Sequence, residues 1–178
     1  MRLLLHICCG PCALYPITKL REDRFREVVG FYYNPNIHPN AEYKRRKRAL
    51  AGARRSLDFR VIYPPYSMEE YFTKVAKKED TPSRCRSCWE LRLSRTADFA
   101  RENKFDMFTT TLLISPYQDH ELVKEIGIGV GHKKGIEFYY EDFRKGFRGS
   151  QEEAKKQGIY RQRYCGCVFS ELERTRKS

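Results

Sequence analysis

Residues 2–21, Arg2-Leu3-Leu4-Leu5-His6-Ile7-Cys8-Cys9-Gly10-Pro11-Cys12-Ala13-Leu14-Tyr15-Pro16-Ile17-Thr18-Lys19-Leu20-Arg21, decide the architecture. The apolar run has the length of a strand and none of the polar gaps of an amphipathic helix, so Arg2–Ile7 reads as a short strand buried on both faces. Gly10-Pro11 stops it, and Leu14, Ile17 and Leu20 then recur at helical spacing across Cys12–Arg21. A buried strand, a tight turn and a helix open a parallel α/β sheet.

The same alternation continues outward from that unit. Val28–Tyr33 reads as a second strand stopped by Asn34-Pro35-Asn36, and Pro39 precedes a long basic helix with Tyr43, Leu50 and Leu57 on one face. Phe59–Tyr63 is a third strand and Met68–Ala76 a helix. A further helix follows Pro82-Ser83, with Trp89, Leu93, Thr96, Ala97 and Ala100 as its inward stripe. Asp106–Leu113 reads as a strand, Gln118–Ile126 as a helix and Glu137–Tyr140 as a short strand. Helices around Gln151–Lys156 and over Val168–Arg176 complete the chain. The expectation is one domain over residues 1–178: a three-layer α/β sandwich, its mainly parallel sheet linked by right-handed crossovers.

The 178 residues carry 35 Lys+Arg against 23 Asp+Glu, a formal charge of +12, which favours an anionic partner, nucleic acid first. Aromatics at 13% place the chain among globular rather than disordered sequences. The apolar run at Leu3–Ile7 is too short for a secretion signal, and no stretch reaches membrane-spanning length. An odd number of cysteines, seven, in tight clusters disfavours a secreted disulfide scaffold. A cytoplasmic protein with reduced or metal-bound thiols is expected.

The clusters are Cys8-Cys9-Gly10-Pro11-Cys12, Cys85-x-x-Cys88 and Cys165-Gly166-Cys167. The first sits where the first strand meets the first helix, the place where parallel sheets gather ligands and where helix N-termini favour thiolate. Adjacent Cys8 and Cys9 would face apart in a regular strand, but the Gly10-Pro11 turn removes that regularity. Cys9-Gly10-Pro11-Cys12 also spells a thioredoxin redox motif, although that fold needs neither other cluster. Cys85 and Cys88 open a helix and share a face at i, i+3. Four sulfurs from the first two clusters suit either zinc or an iron–sulfur cluster, and spacing does not choose. The third pair, separated by one glycine, suits a strained, easily reduced disulfide or a second metal site.

His6-Ile7-Cys8-Cys9-Gly10-Pro11-Cys12, Tyr33-Asn34-Pro35-Asn36-Ile37-His38-Pro39, Arg84-Cys85-Arg86-Ser87-Cys88, Thr110-Thr111-Leu112-Leu113-Ile114-Ser115-Pro116-Tyr117-Gln118 and Tyr160-Arg161-Gln162-Arg163-Tyr164-Cys165-Gly166-Cys167 together resemble the QueH type of epoxyqueuosine reductase, in order along nearly the whole chain. The resemblance implies a HUP-like fold related to ATP-pyrophosphatases. It also implies a tRNA-modifying enzyme that reduces epoxyqueuosine to queuosine at the wobble position. It further implies a 4Fe-4S cluster on Cys8, Cys9, Cys85 and Cys88 and a redox-active pair at Cys165 and Cys167, while Cys12 receives no role. Asp119 or Asp142 is an alternative ligand, which would free a cysteine for a second iron. An electron donor is required and is not identified.

Loss of the epoxide oxygen also needs a proton source, for which Asp119 leads, with His120, His38 and Tyr117 as further candidates on loops after strands. His6, inside a strand, is expected to be a satisfied core residue. Lys44, Arg45, Arg46, Lys47 and Arg48, with Arg54 and Arg55 on the same helix, are candidates for tRNA phosphates, and Arg161 and Arg163 for nucleotides near the anticodon. Two competing readings are a tRNA thiolase or other ATP-pyrophosphatase relative and a zinc-stabilised nucleic-acid-binding module. The first is disfavoured because cysteines occupy the turn where a phosphate loop belongs.

Overall fold

A computed structural model describes residues 1–176. Strands β1 (Arg2–His6), β2 (Glu27–Phe31), β3 (Val61–Ile62), β4 (Met107–Thr110) and β5 (Glu137–Phe138) form a five-stranded sheet in the order β3-β2-β1-β4-β5. Every neighbouring pair is parallel. The helices are α1 (Gly10–Glu22), α2 (Asn40–Leu57), α3 (Met68–Val75), α4 (Ser83–Glu102), α5 (His120–Lys134), α6 (Phe147–Lys156) and α7 (Val168–Thr175). α1 packs on α2 and α6, and α4 packs on α3 and α5, so the sheet lies between two helical layers. This is the expected three-layer α/β sandwich. Among the described residues no helix is long and apolar enough to cross a membrane.

β1 is the central strand, paired through Leu3↔Val28 on one side and Leu3↔Met107 on the other. Leu3, Leu4 and Leu5 are all fully buried, which is why the strand reads as an unbroken apolar run. The stripe Trp89, Leu93, Thr96, Ala97 and Ala100 is buried beneath α4, as its spacing predicts. Strand order turns between β1 and β4, the first strand laid down and the fourth. In doubly wound sheets ligands bind in the crevice at the carboxyl ends of the strands flanking that switch.

The strands expected over Phe59–Tyr63 and Glu137–Tyr140 shrink to Val61–Ile62 and Glu137–Phe138, the helix around Gln151–Lys156 starts at Phe147, and two further elements differ for a visible reason. The strand expected over Asp106–Leu113 ends at Thr110 and becomes a 3₁₀ turn, Thr111–Ile114. The Thr110 hydroxyl accepts the Leu112 N–H at 3.1 Å, drawing the backbone out of the ladder. The helix expected over Gln118–Ile126 runs on to Lys134, through glycines that would ordinarily weaken it. At Gly127 a Cβ would lie 2.4 Å from the Phe138 ring, so the missing side chain lets β5 close onto α5.

Candidate metal centre and substrate cavity

The first cysteine cluster lies at the switch point. Cys8 follows β1 and Thr111 follows β4, and the two meet. The Cys8 N–H donates to the Thr111 hydroxyl oxygen at 3.0 Å, and that hydroxyl donates to the Cys8 sulfur at 3.3 Å. Cys9 is the N-cap of α1 and Cys12 lies in its first turn. The Sγ atoms of Cys8, Cys9 and Cys12 all lie within 4.8 Å of one another, with Cys8 and Cys9 3.8 Å apart. β1 ends at His6 and α1 already begins at Gly10, so the irregular residues between them, rather than a turn at Gly10-Pro11, bring both adjacent sulfurs together, and Cys12, which had no role, joins them.

Their electrostatics are unequal. Cys8 is held well below the usual thiol range because the Cys12 and Cys9 thiols hydrogen-bond to its sulfur, aided by the Arg92 charge and the Thr111 hydroxyl against the cost of burial. Burial pushes Cys9 well above that range, and Cys12 rises chiefly because its S–H is committed to Cys8. Cys8 is thus the sulfur most disposed to the thiolate form that a metal requires, while Cys9 and Cys12 would have to lose their protons on binding.

The second cluster opens α4, where Cys85 is half-buried and Cys88 buried. Burial pushes Cys85 up to about 11 and Cys88 up to about 12. The Arg92 guanidinium is 3.9 Å from the Cys88 sulfur, and its charge is felt at Cys8, Cys88 and Cys165. Cys85 and Cys88 in turn feel Cys165 and Cys167. One sulfur from each cluster therefore feels the same buried cation. Soft sulfur donors converging at a strand-end crevice fit a thiolate-bound metal group, iron or zinc.

Carboxylates do not complete that donor set in this arrangement. Asp119 is exposed and caps α5, accepting the Leu122 N–H at 3.0 Å. Asp142 accepts from Arg144 at 2.6 Å, and this hydrogen bond pulls its carboxyl down to about 2.

The third pair splits. Cys165 is exposed, Cys167 is buried, and all seven cysteines are free thiols. Cys167 packs with Tyr71, Val75 and Cys88. Gly166 has φ of +146°, a conformation that side chains resist, and a Cβ there would crowd Asn36 and Ile37 at 3.1 and 3.2 Å. Two residues clamp this loop. The His38 N–H donates to the Gly166 carbonyl at 2.8 Å, and the Tyr164 hydroxyl donates to the His38 carbonyl. Arg46 donates to the carbonyls of Cys165 at 2.8 Å and Tyr164 at 3.1 Å.

A cavity of about 620 Å³ opens beside the cysteines, with Cys8, Cys12, Arg92 and Cys165 in its wall and Tyr117, Gln118, Phe147, Arg161, Arg163 and Tyr164 toward its rim. The Gln162 amide donates to the Cys9 sulfur at 3.0 Å, tying the loop before the third pair to the first cluster.

Of the proton-source candidates, Tyr117 lines this cavity and is 83% exposed. Asp119 and the two histidines are not among its lining residues. His38 is buried with both ring nitrogens engaged: Nε2 donates to the Pro35 carbonyl at 3.1 Å and Nδ1 accepts the Val168 N–H at 3.4 Å. His120 is buried, 3.0 Å from the Tyr140 hydroxyl. His6 is a satisfied core residue, between Thr110 at 2.8 Å and the Tyr33 carbonyl at 3.2 Å.

On α2, Lys44, Arg45, Lys47 and Arg48 are exposed, as are Arg161 and Arg163 beside the third pair. Arg46 differs from its neighbours. It is fully buried and ion-paired to Glu42 at 2.8 Å, so its charge is spent inside the protein. Sequence reasoning gave no role to Thr111, Arg92 or Gln162; only the positions of Thr111 and Gln162 within the motifs of the family resemblance marked them.

Comparisons with known proteins agree with this geometry. The family model described as epoxyqueuosine reductase QueH matches residues 3–173. An epoxyqueuosine reductase QueH of Dehalococcoides mccartyi is 38% identical over 97% of this chain and 94% of its own. One from Thermotoga maritima is 40% identical over 98% and 92%. Among solved structures, a predicted tRNA methyltransferase subunit of Methanocaldococcus jannaschii superposes with a TM-score of 0.55 at 10% identity, covering 87% of this chain and 74% of that one. A zinc-inhibited teicoplanin deacetylase gives 0.51 at 12% identity over 78% and 66%. These distant likenesses establish the fold alone. The family match over residues 3–173 and near-complete coverage at 38% and 40% identity establish more: the chain belongs to the QueH family of epoxyqueuosine reductases.

Proposed function

We propose that this protein reduces epoxyqueuosine to queuosine at the wobble position of tRNA, the last step of queuosine biosynthesis, in the reducing cytoplasm. The observation that carries this reading is the meeting of the first and third cysteine clusters, through Cys8, Cys12 and Cys165, in one cavity that Arg161 and Arg163 also line. Converting an epoxide to an alkene consumes two electrons and two protons and releases water. Oxidation of the Cys165/Cys167 dithiol to a disulfide supplies two electrons and two protons, so the balance closes, and an external reductant must then restore the thiols.

Cys8 and Cys9, with Cys85 and Cys88 from α4, are the ligands in this reading. Cys12 stands close enough to replace one of them, and no carboxylate is needed. A 4Fe-4S cluster held there supplies single electrons at low potential; a second iron is compatible with the surplus sulfur. The chain's own residues do the rest. Thr111 and Gln162 fix the first cluster's sulfurs, Arg46 and His38 hold the third pair at the cavity wall, and the exposed cations of α2 hold tRNA phosphates. Tyr117, in the cavity, is better placed than Asp119 to give a proton to the departing oxygen, while Asp119 keeps the start of α5 in place.

Anaerobically purified protein incubated with epoxyqueuosine-containing tRNA and a chemical reductant should yield queuosine on nucleoside analysis. It should also show broad absorption near ~400 nm, as iron–sulfur thiolates give. Colourless, iron-free protein that still converts its substrate would refute the iron–sulfur reading. Zinc-loaded protein without turnover would favour a nucleic-acid-binding module instead.

A further inference from the structure

Two arginines of this chain are fully buried, Arg46 and Arg92. Arg46 is neutralised by Glu42 at 2.8 Å. A third, Arg84, is nearly as buried and meets Glu173 at 2.8 Å. Arg92 has no carboxylate within ion-pair distance among the described residues. One arm donates to the Asn34 carbonyl oxygen at 2.7 Å, the other lies 3.9 Å from the Cys88 sulfur, and Nε has no partner. The Asn34 amide is itself held by the Ile7 carbonyl at 2.8 Å, so the guanidinium is fixed between the end of β1 and the face of α4. A neutral amide orients a cation but does not cancel its charge. An unpaired charge taken out of water opposes folding. The groups that feel Arg92 and can carry negative charge are the sulfurs Cys8, Cys88 and Cys165 and the Tyr33 phenol, which burial keeps protonated.

We propose that Arg92 is the built-in counter-ion of the thiolate-bound metal group, a positioning residue whose buried cation retains that group and raises its reduction potential. The proposal rests on the iron–sulfur reading above. Two consequences follow from charge alone. Without metal, Arg92 lies outside ion-pair distance of any carboxylate among the described residues and only the lowered Cys8 thiol offsets its charge, and loading supplies further negative charge. With metal, a nearby cation favours the reduced state, which is one unit more negative, so removing the cation must lower the potential.

The test uses the full chain, wild type against Arg92→Met and Arg92→Lys, reconstituted anaerobically with iron and sulfide. Three quantities are read: iron retained under chelator challenge, the reduction midpoint, and thermal midpoints of metal-free and loaded protein. Arg92→Met should lose iron at least tenfold faster. Its reduced-to-oxidised ratio at a fixed poise should fall about tenfold, equivalent to about 59 mV for one electron. Metal-free, it should melt at or above the wild-type temperature. Arg92→Lys, which keeps the charge, should return the potential most of the way. Unchanged retention and potential in Arg92→Met would overturn the assignment, as would a Met variant that folds less well than wild type without metal. Wild-type protein that takes up no iron removes the iron–sulfur reading and this assignment together. Iron uptake indifferent to residue 92 removes the assignment alone.

Discussion

The backbone N–H of His38 reaches the carbonyl of Gly166 at 2.8 Å, tying the loop after β2 to the glycine between two cysteines far along the chain. The same histidine accepts the Val168 N–H at Nδ1 and stacks on Phe72 at 4.7 Å. Burial holds its imidazole below the ordinary range, and both ring nitrogens serve as a neutral ring requires.

That arrangement predicts acid release of the third cysteine pair. When the loop opens, His38 regains an ordinary affinity for protons, near pH 6.5. The open state therefore binds more protons than the closed one below that pH, and closure loses stability as pH falls through about 6.5 toward the lower native value. Above that range nothing changes. Protection of the buried Cys167 thiol against alkylation, taken relative to unfolded chain at each pH, should fall between pH 6.5 and 5 in the metal-free protein. In His38→Gln the protection should be lower throughout and lack that pH step.

Thr111 offers a second test, because its one hydroxyl serves both the N–H and the sulfur of Cys8. Thr111→Val keeps the shape and removes both partners. A buried N–H left unpaired costs about 1–3 kcal/mol, so the variant should fold with a lowered thermal midpoint. Iron content per chain after reconstitution should fall as well, since the strongest thiolate of the cluster loses a donor. A Val variant with wild-type iron content would remove Thr111 from the centre.

Much of this was legible in the sequence, and the reasons are particular. Leu3–Ile7 followed by Gly10-Pro11 identifies a buried strand entering a helix because burial on both faces leaves an unmistakable run of apolar residues. The cysteine pairs declare themselves by spacing. What stayed hidden depends on approach between distant segments. Thr111 sits in what reads as a strand, until the Thr110 side chain turns the backbone and delivers it to Cys8. Arg46 and Lys47 are identical in sequence logic, and only the position of Glu42 and the 164–165 carbonyls sends one inward. Arg92 reads as another charge on a basic helix, because nothing local reveals that Asn34 lies opposite.

The division of α2 makes a third prediction. Replacing Lys44, Arg45, Lys47 and Arg48 by alanine should leave folding intact and weaken tRNA binding. The salt dependence should flatten by roughly 0.7–0.9 in log–log slope for each phosphate contact removed. Arg46→Ala should behave differently, since it leaves the buried Glu42 with only the Tyr160 hydroxyl and the more distant Arg45, and frees the Cys165 carbonyl. Removing one partner of a buried pair costs about 3–5 kcal/mol, so a thermal melt should register this variant while the surface set passes unnoticed. An Arg46→Ala protein with a wild-type melt would show that the pair is dispensable.

Tyr117 and Asp119 separate the proton source from the scaffold. Asn caps a helix as well as Asp does, so Asp119→Asn preserves the bond to Leu122 and should fold normally, with turnover within about threefold of wild type. Tyr117 packs edge-on against Phe147 at 5.7 Å, a contact that the ring alone maintains. Tyr117→Phe therefore keeps the contact and deletes only the hydroxyl, and loss of a general acid should lower single-turnover deoxygenation by about 10²-fold or more, with tRNA affinity unchanged. The reverse pattern, a crippled Asp119→Asn beside an active Tyr117→Phe, would return the proton to the carboxylate at the head of α5.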